Sequence, residues 1–181
     1  MFKREMKSGA VLILGGAKSG KSSLARRLFD GPGLEHVFIA TAEAWDIEME
    51  DRIKRHQAER GEKWKTVEEP LNIVTRIKKL DKTDTVILID CLTLWLSNLF
   101  MMHEHDHEEI YRQIDGLEAG LSNLKGIVLL VSNEVGMGIV PENGLARDFR
   151  DAAGYMNQRI AAVARKVVIV FAGLPVILKD E

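Results

Sequence analysis

The sequence has one cysteine, Cys91, so no disulfide can form within the chain. That fits a reducing compartment. Only four prolines are present, and no stretch rich in Pro, Gly or Ser marks a linker. No internal repeat is visible either, and 181 residues is about the size of one domain, so residues 1–181 read as a single unit. Excess charge is missing too. The formal net charge is -2, which offers no bulk attraction for nucleic acid or for an anionic membrane. No apolar run approaches the roughly 20 residues of a membrane span. The opening Met1-Phe2-Lys3-Arg4-Glu5-Met6-Lys7-Ser8 is charged, and no apolar stretch of signal-peptide length follows it. The expectation is a cytoplasmic protein without membrane insertion.

The apolar share of 46% and charged share of 29% belong to an ordinary globular chain, long enough to bury a core on both faces of a sheet. Short continuous apolar runs at residues 10–14, 36–40, 85–89, 127–131 and 167–171 read as strands buried on both faces. Helical patterns lie between them at 22–29, 46–60, 72–80, 107–124 and 143–165, the last a long helix or a broken pair. Residues 63–67 suit a further short strand. Gly173-Leu174-Pro175 breaks the chain before residues 176–178 and implies a hairpin, hence an antiparallel strand at the C-terminal edge. Strands alternating with helices predict a mostly parallel α/β sheet with right-handed crossovers. Ligands of such sheets sit at the carboxyl ends of the strands. The loops after Leu14, Ala40, Ile89 and Val131 should therefore meet.

Gly15-Gly16-Ala17-Lys18-Ser19-Gly20-Lys21-Ser22 matches the Walker A pattern at every defined position, between a predicted strand and a predicted helix. The fold class expected is thus a RecA-like P-loop NTPase. Its glycines let backbone N–H groups turn toward phosphates, and the helix dipole adds to their attraction. Lys21 would reach the β and γ phosphates, and the Ser22 hydroxyl would hold Mg²⁺. Asp90, at the end of a strand, suits the second metal-side carboxylate; the plainer reading makes it the cap of the next helix. Cys91 beside it reads as a small packing residue.

Other candidates are less specific. Ser132-Asn133-Glu134-Val135-Gly136-Met137-Gly138 is either a substrate-facing loop or a plain strand-to-helix connection. His56 shares a helical face with Met49 and Ile53, which by pattern alone favours a packed histidine. Arg52, Lys54, Arg55 and Arg60 make the same stretch basic, as a triphosphate would favour. His103-Glu104-His105-Asp106-His107 has the look of a metal cluster, but such a run between helices more often is an exposed loop. Trp45, Trp64 and Trp95 read as core or interface aromatics.

Together these pieces resemble one family, the bifunctional adenosylcobinamide kinase / adenosylcobinamide-phosphate guanylyltransferases of cobalamin biosynthesis. The resemblance runs from about Leu12 to Lys179. It rests on the phosphate loop, Phe38-Ile39-Ala40-Thr41-Ala42, the segment Arg52-Ile53-Lys54-Arg55-His56, Trp64-Lys65-Thr66-Val67-Glu68 and Asp90-Cys91-Leu92-Thr93-Leu94-Trp95. The run from Asn133 through Val135-Gly136-Met137-Gly138 to Pro141 and then Asn157-Gln158-Arg159 complete it. The resemblance implies two reactions. The γ-phosphoryl of ATP or GTP passes to the aminopropanol hydroxyl of adenosylcobinamide. A histidine then takes GMP from GTP and hands it to adenosylcobinamide phosphate. That histidine falls on His56, with Lys21 as the other catalytic group. Nucleotide contacts fall on Gly15 to Ser22, on Ala40, Thr41 and Ala42, on Gln57, Ala58, Glu59 and Arg60, and on Glu68 and Asp90. The resemblance also implies a homotrimer and a corrinoid partner. A single-activity P-loop kinase would share the phosphate loop and Asp90 but gives His56 no task. A nucleotide-dependent switch would need an effector region the sequence does not display.

Overall fold

The computed structural model describes residues 8–29, 33–42, 63–104 and 106–181. The expected helix over 46–60, with His56 and Trp45, lies outside the described residues. In chain order the described elements are β1 (Gly9–Gly15), α1 (Lys21–Leu28), β2 (Glu35–Ala40), β3 (Lys65–Glu68) and α2 (Ile73–Leu80). Then follow β4 (Thr85–Asp90), α3 (Leu92–Met102), α4 (His107–Gly120), β5 (Ile127–Asn133), α5 (Gly144–Val163), β6 (Lys166–Phe171) and β7 (Leu174–Asp180).

Seven strands form one sheet in the order β3-β2-β4-β5-β1-β6-β7. Every pairing is parallel except β6 with β7, which is antiparallel. The predicted mostly parallel sheet and its C-terminal antiparallel edge are both present. β5 lies between β1 and β4, in register with both (Ile13 against Val131, Ile89 against Leu130). The carboxyl ends of β1, β5, β4 and β2 therefore share one edge.

The continuous apolar runs arise because both faces of the sheet are covered. Alternate residues of β1 feed separate cores: Leu12 and Leu14 join one with Trp95, Leu117 and Met156, while Val11 and Ile13 join another with Ala25 and Leu88. Helices α2 to α5 cover the first face and α1 the second.

Boundaries differ from expectation in instructive ways. β5 continues two residues past Val131, since Ser132 and Asn133 still pair with Leu14 and Gly15. α4 stops at Gly120 rather than at 124; the Leu121 N–H is shared among three carbonyls of the last turn while its buried side chain still serves the core. α5 is one unbroken helix, started by the Asn143 side chain accepting from the Ala146 N–H at 3.1 Å. Trp95 is fully buried, and its indole N–H donates to Leu71 O at 2.8 Å. Trp64 meets His36 edge-on at 5.0 Å. Both follow the core reading.

Candidate nucleotide site

The site is built from the carboxyl edge of the sheet. Gly15 ends β1 where no side chain fits: a Cβ there would lie 2.5 Å from Ser19 Oγ and 2.7 Å from Val170 O. Lys18 (φ 55°) and Gly20 (φ 97°) adopt left-handed conformations that curl the loop before α1. Gly20 supplies no capping side chain, and the first turn of α1 contains no acidic residue. The helix thus opens with N–H groups for an anion. At Gly16 a Cβ would meet nothing within 4 Å, so that side of the loop faces open space. Lys21 is largely buried, with Nζ donating to Gly16 O at 3.0 Å. The ammonium is folded over the loop it would share with phosphates. Ser19 Oγ is buried and has no hydrogen-bond partner among the described residues.

The turn joining β6 to β7 braces this loop from below. The Gly173 N–H donates to Ser19 O at 2.9 Å, and Gly173 Cα lies 3.4 Å from where a Gly20 Cβ would be.

Asp90 is the last residue of β4, paired with Ala40 of β2 and Val131 of β5. The α3 helix begins after Cys91, so Asp90 is not its N-cap. That removes the plainer of its two readings. Ser22 and Asp90 offer a hydroxyl and a carboxylate, an oxygen-only donor set of the kind Mg²⁺ takes. Cys91 is buried, and burial, followed by the Asp90 charge, pushes its thiol up to about 11. It stays protonated at neutral pH and is a packing group, as expected. The Lys21 charge also acts on this thiol, which links the phosphate loop with the β4 edge.

Thr41 is fully buried, and its hydroxyl donates to Cys91 O at 2.8 Å while accepting from the Cys91 N–H at 2.9 Å. Its carbonyl accepts from Asn98 Nδ2 at 2.8 Å, and that amide also donates to Pro70 O at 3.0 Å. Glu68, exposed at the end of β3, pairs with Ala40, and the Glu69 N–H donates to Ala40 O at 2.9 Å. Burial raises Glu69, but N–H groups of Asn72 and Leu71 and the Arg76 guanidinium outweigh it, and its pKa is lowered. Ala40, Thr41, Glu68 and Asp90 thus lie along the same edge of the sheet as the phosphate loop, with Asp90 two strands from it and Glu68 four. His56, Gln57, Ala58, Glu59 and Arg60 lie outside the described residues.

The loop after β5 joins the same edge. The Glu134 N–H donates to Gly15 O at 3.1 Å, and the Asn133 N–H donates to Thr93 Oγ1 at 2.8 Å. Thr93 and Asn98, both on α3, went unnoticed as site-supporting residues in the sequence. The available signal was three polar residues, Thr93, Ser97 and Asn98, within an otherwise apolar helix. His103, Glu104 and Asp106 lie between α3 and α4, and His107 opens α4. Asp106 caps α4 by accepting from the Glu109 N–H at 3.0 Å, and the His107 ring lies 5.9 Å from Phe100. His105 is outside the described residues, and among the described ones no three His, Cys, Asp or Glu side chains form a metal-holding group.

A parallel sheet with a glycine loop at β1, a lysine over it and a carboxylate two strands away defines a P-loop nucleotide-binding protein. Solved structures agree at the level of fold. A protein of Pyrococcus horikoshii OT3 superposes with TM-score 0.60 at 9% identity, covering 95% of this chain and 86% of that one. A type III secretion system ATPase superposes with TM-score 0.53 at 9% identity, covering 89% and 50%. Residues 11–178 match the family described as cobinamide kinase / cobinamide phosphate guanyltransferase. The chain is 44% identical to the bifunctional adenosylcobalamin biosynthesis protein CobP of Pseudomonas aeruginosa, over 94% of this chain and 97% of that one. It is 40% identical to the protein of that description, CobU, from Salmonella typhimurium, over 93% and 99%. The chain belongs to the cobinamide kinase / cobinamide phosphate guanyltransferase family, and is an enzyme with those two transferase activities.

Proposed function

We propose that this single domain carries out two transfers on one corrinoid, adenosylcobinamide, at one phosphate site. In the first, the corrinoid's aminopropanol oxygen attacks the γ-phosphorus of ATP or GTP. The bond from that phosphorus to the β–γ bridging oxygen breaks, the nucleoside diphosphate leaves, and the hydroxyl proton passes to solvent. In the second, a ring nitrogen of His56 attacks the α-phosphorus of GTP and pyrophosphate departs. A phosphate oxygen of adenosylcobinamide phosphate then attacks the phosphorus held by His56. The P–N bond breaks, adenosylcobinamide-GDP forms and the imidazole is restored.

The observation that carries this reading is the presence of the open phosphate loop, Lys21, Asp90 and the Ala40–Thr41 end of β2 along one sheet edge. A neutral imidazole is nucleophilic near pH 7 and leaves phosphorus readily once protonated, which suits a relay. Lys21 and the α1 N-terminus would hold the phosphates, with Gln57, Ala58, Glu59, Arg60 and Glu68 beside the nucleotide. Mg²⁺ on Ser22 and Asp90 would offset phosphate charge. Substrates are small molecules rather than nucleic acid, and the cytoplasm supplies both nucleotides. Among the described residues no helix is long and apolar enough to cross a membrane.

The homotrimer belongs to this proposal as well. Phe171, Leu174, Val176 and Leu178 are exposed along the β6–β7 edge, an apolar row of the kind that another copy covers.

Incubation with α-labelled GTP tests the relay. Wild type should acquire an acid-labile, alkali-stable label, and His56→Ala should not, while retaining phosphorylation of adenosylcobinamide. A labelled His56→Ala protein would remove His56 from the mechanism.

A further inference from the structure

Residues 134–145 leave β5 beside the phosphate loop, where the Glu134 N–H meets Gly15 O, and end in the first turn of α5. Their backbone is held by polar bonds. The Gly136 N–H donates to Glu134 Oε1 at 2.8 Å, and Arg147 Nη1 donates to Pro141 O at 3.0 Å and Glu142 O at 2.6 Å. Asn143 caps the helix that follows. Yet Val135, Met137, Ile139, Val140 and Leu145 are all exposed, Met137 at 73% and Ile139 at 96%. One exposed apolar side chain is ordinary, but five in one short, shaped segment mark a contact surface.

Charge and place narrow the occupant. Residues 135–141 (Val-Gly-Met-Gly-Ile-Val-Pro) contain no ionisable side chain, so they offer nothing to a phosphate. They suit a large neutral rim of methyl and amide groups. They follow directly on Glu134, whose N–H meets Gly15 O at the start of the phosphate loop, beside which an acceptor hydroxyl would have to arrive. The other exposed apolar row, on β7, stands at the sheet's far edge and remains available for self-association.

We infer that residues 135–145 form the surface on which the corrin macrocycle of the acceptor rests, presenting its aminopropanol arm to the phosphate loop. This rests on the reading that adenosylcobinamide is the acceptor. Wild-type turnover of adenosylcobinamide with GTP therefore comes first, and its absence would refute that reading rather than the surface.

Given turnover, Met137→Ser combined with Ile139→Ser should raise KM for adenosylcobinamide about tenfold or more, as loss of buried apolar area predicts. KM for GTP, formation of the GMP adduct and the mass by light scattering should not change. An unchanged corrinoid KM overturns the proposal. A fall in assembly mass overturns it too, because another copy would then be what covers the segment. Peroxide footprinting of the wild-type protein makes an independent check that needs no variant to fold. Adenosylcobinamide should protect Met137 while leaving the exposed Met101 and Met102 as reactive as before. Equal oxidation of Met137 with and without the corrinoid counts against the surface.

Discussion

At Lys21 the proposed chemistry would depend on one ammonium kept close to its loop. Its bond to Gly16 O holds it where phosphates would displace the carbonyl as partner. Lys21→Ala should lower both phosphorylation and guanylylation by about a hundredfold or more, the scale for losing one charge stabiliser of a transition state. Parallel assays of the two steps check this; full guanylylation in the variant would confine the phosphate loop to the kinase step. Cys91 supports a different test. The thiol titrates near 9.0 in an unfolded chain and near 11 here. Between those values the unfolded state releases a proton that the folded state keeps, so stability falls as pH rises through the window. The loss reaches up to about 3 kcal/mol, from 1.36 kcal/mol per pKa unit. Urea titrations from pH 8 to 11 should show this slope in wild type, and a shallower one in Cys91→Ala.

At the scale of elements, α3 organises the edge. It sends Thr93 to the end of β5, Asn98 to the ends of β2 and β3, and Trp95 to Leu71. Asn98→Ala would leave the buried Thr41 carbonyl unpaired, at a cost of about 1–3 kcal/mol. Chemical denaturation should register that loss, and KM for nucleotide should rise because Thr41 anchors the chain where it leaves β2. Sequence patterns hid this helix. Its residues are apolar nearly all round, since it is packed between sheet and helices, so no amphipathic period shows. α1, α2 and α5 were legible because each keeps a solvated face.

At the scale of the whole molecule, the proposed self-association turns on the exposed row on β7. Val176 pairs with Ile169 and Leu174 with Phe171, so these side chains lie on the face that α5 covers further in, but beyond its reach. Val176→Lys with Leu178→Lys should convert the assembly to monomers in light scattering, with the far-UV spectrum unchanged. A mass identical to wild type would exclude this edge as the contact. The same hairpin touches the phosphate loop through Gly173 and Ser19, so nucleotide affinity should be measured on the variant too.

Local chemistry determined much of this protein before any tertiary contact was known. Five buried strands announced themselves as unbroken apolar runs, and the phosphate loop as glycines leading into Lys21 and Ser22, because double-sided burial and close backbone approach each restrict composition. The Gly173-Leu174-Pro175 break likewise announced the antiparallel edge. Tertiary structure alone decided the strand order that puts β5 between β1 and β4. It also decided that Thr41 spends its hydroxyl on Cys91 and that Gly173 supports Ser19. Those outcomes are long-range pairings between segments far apart in the chain, and no local period encodes which distant partner a buried polar group will find.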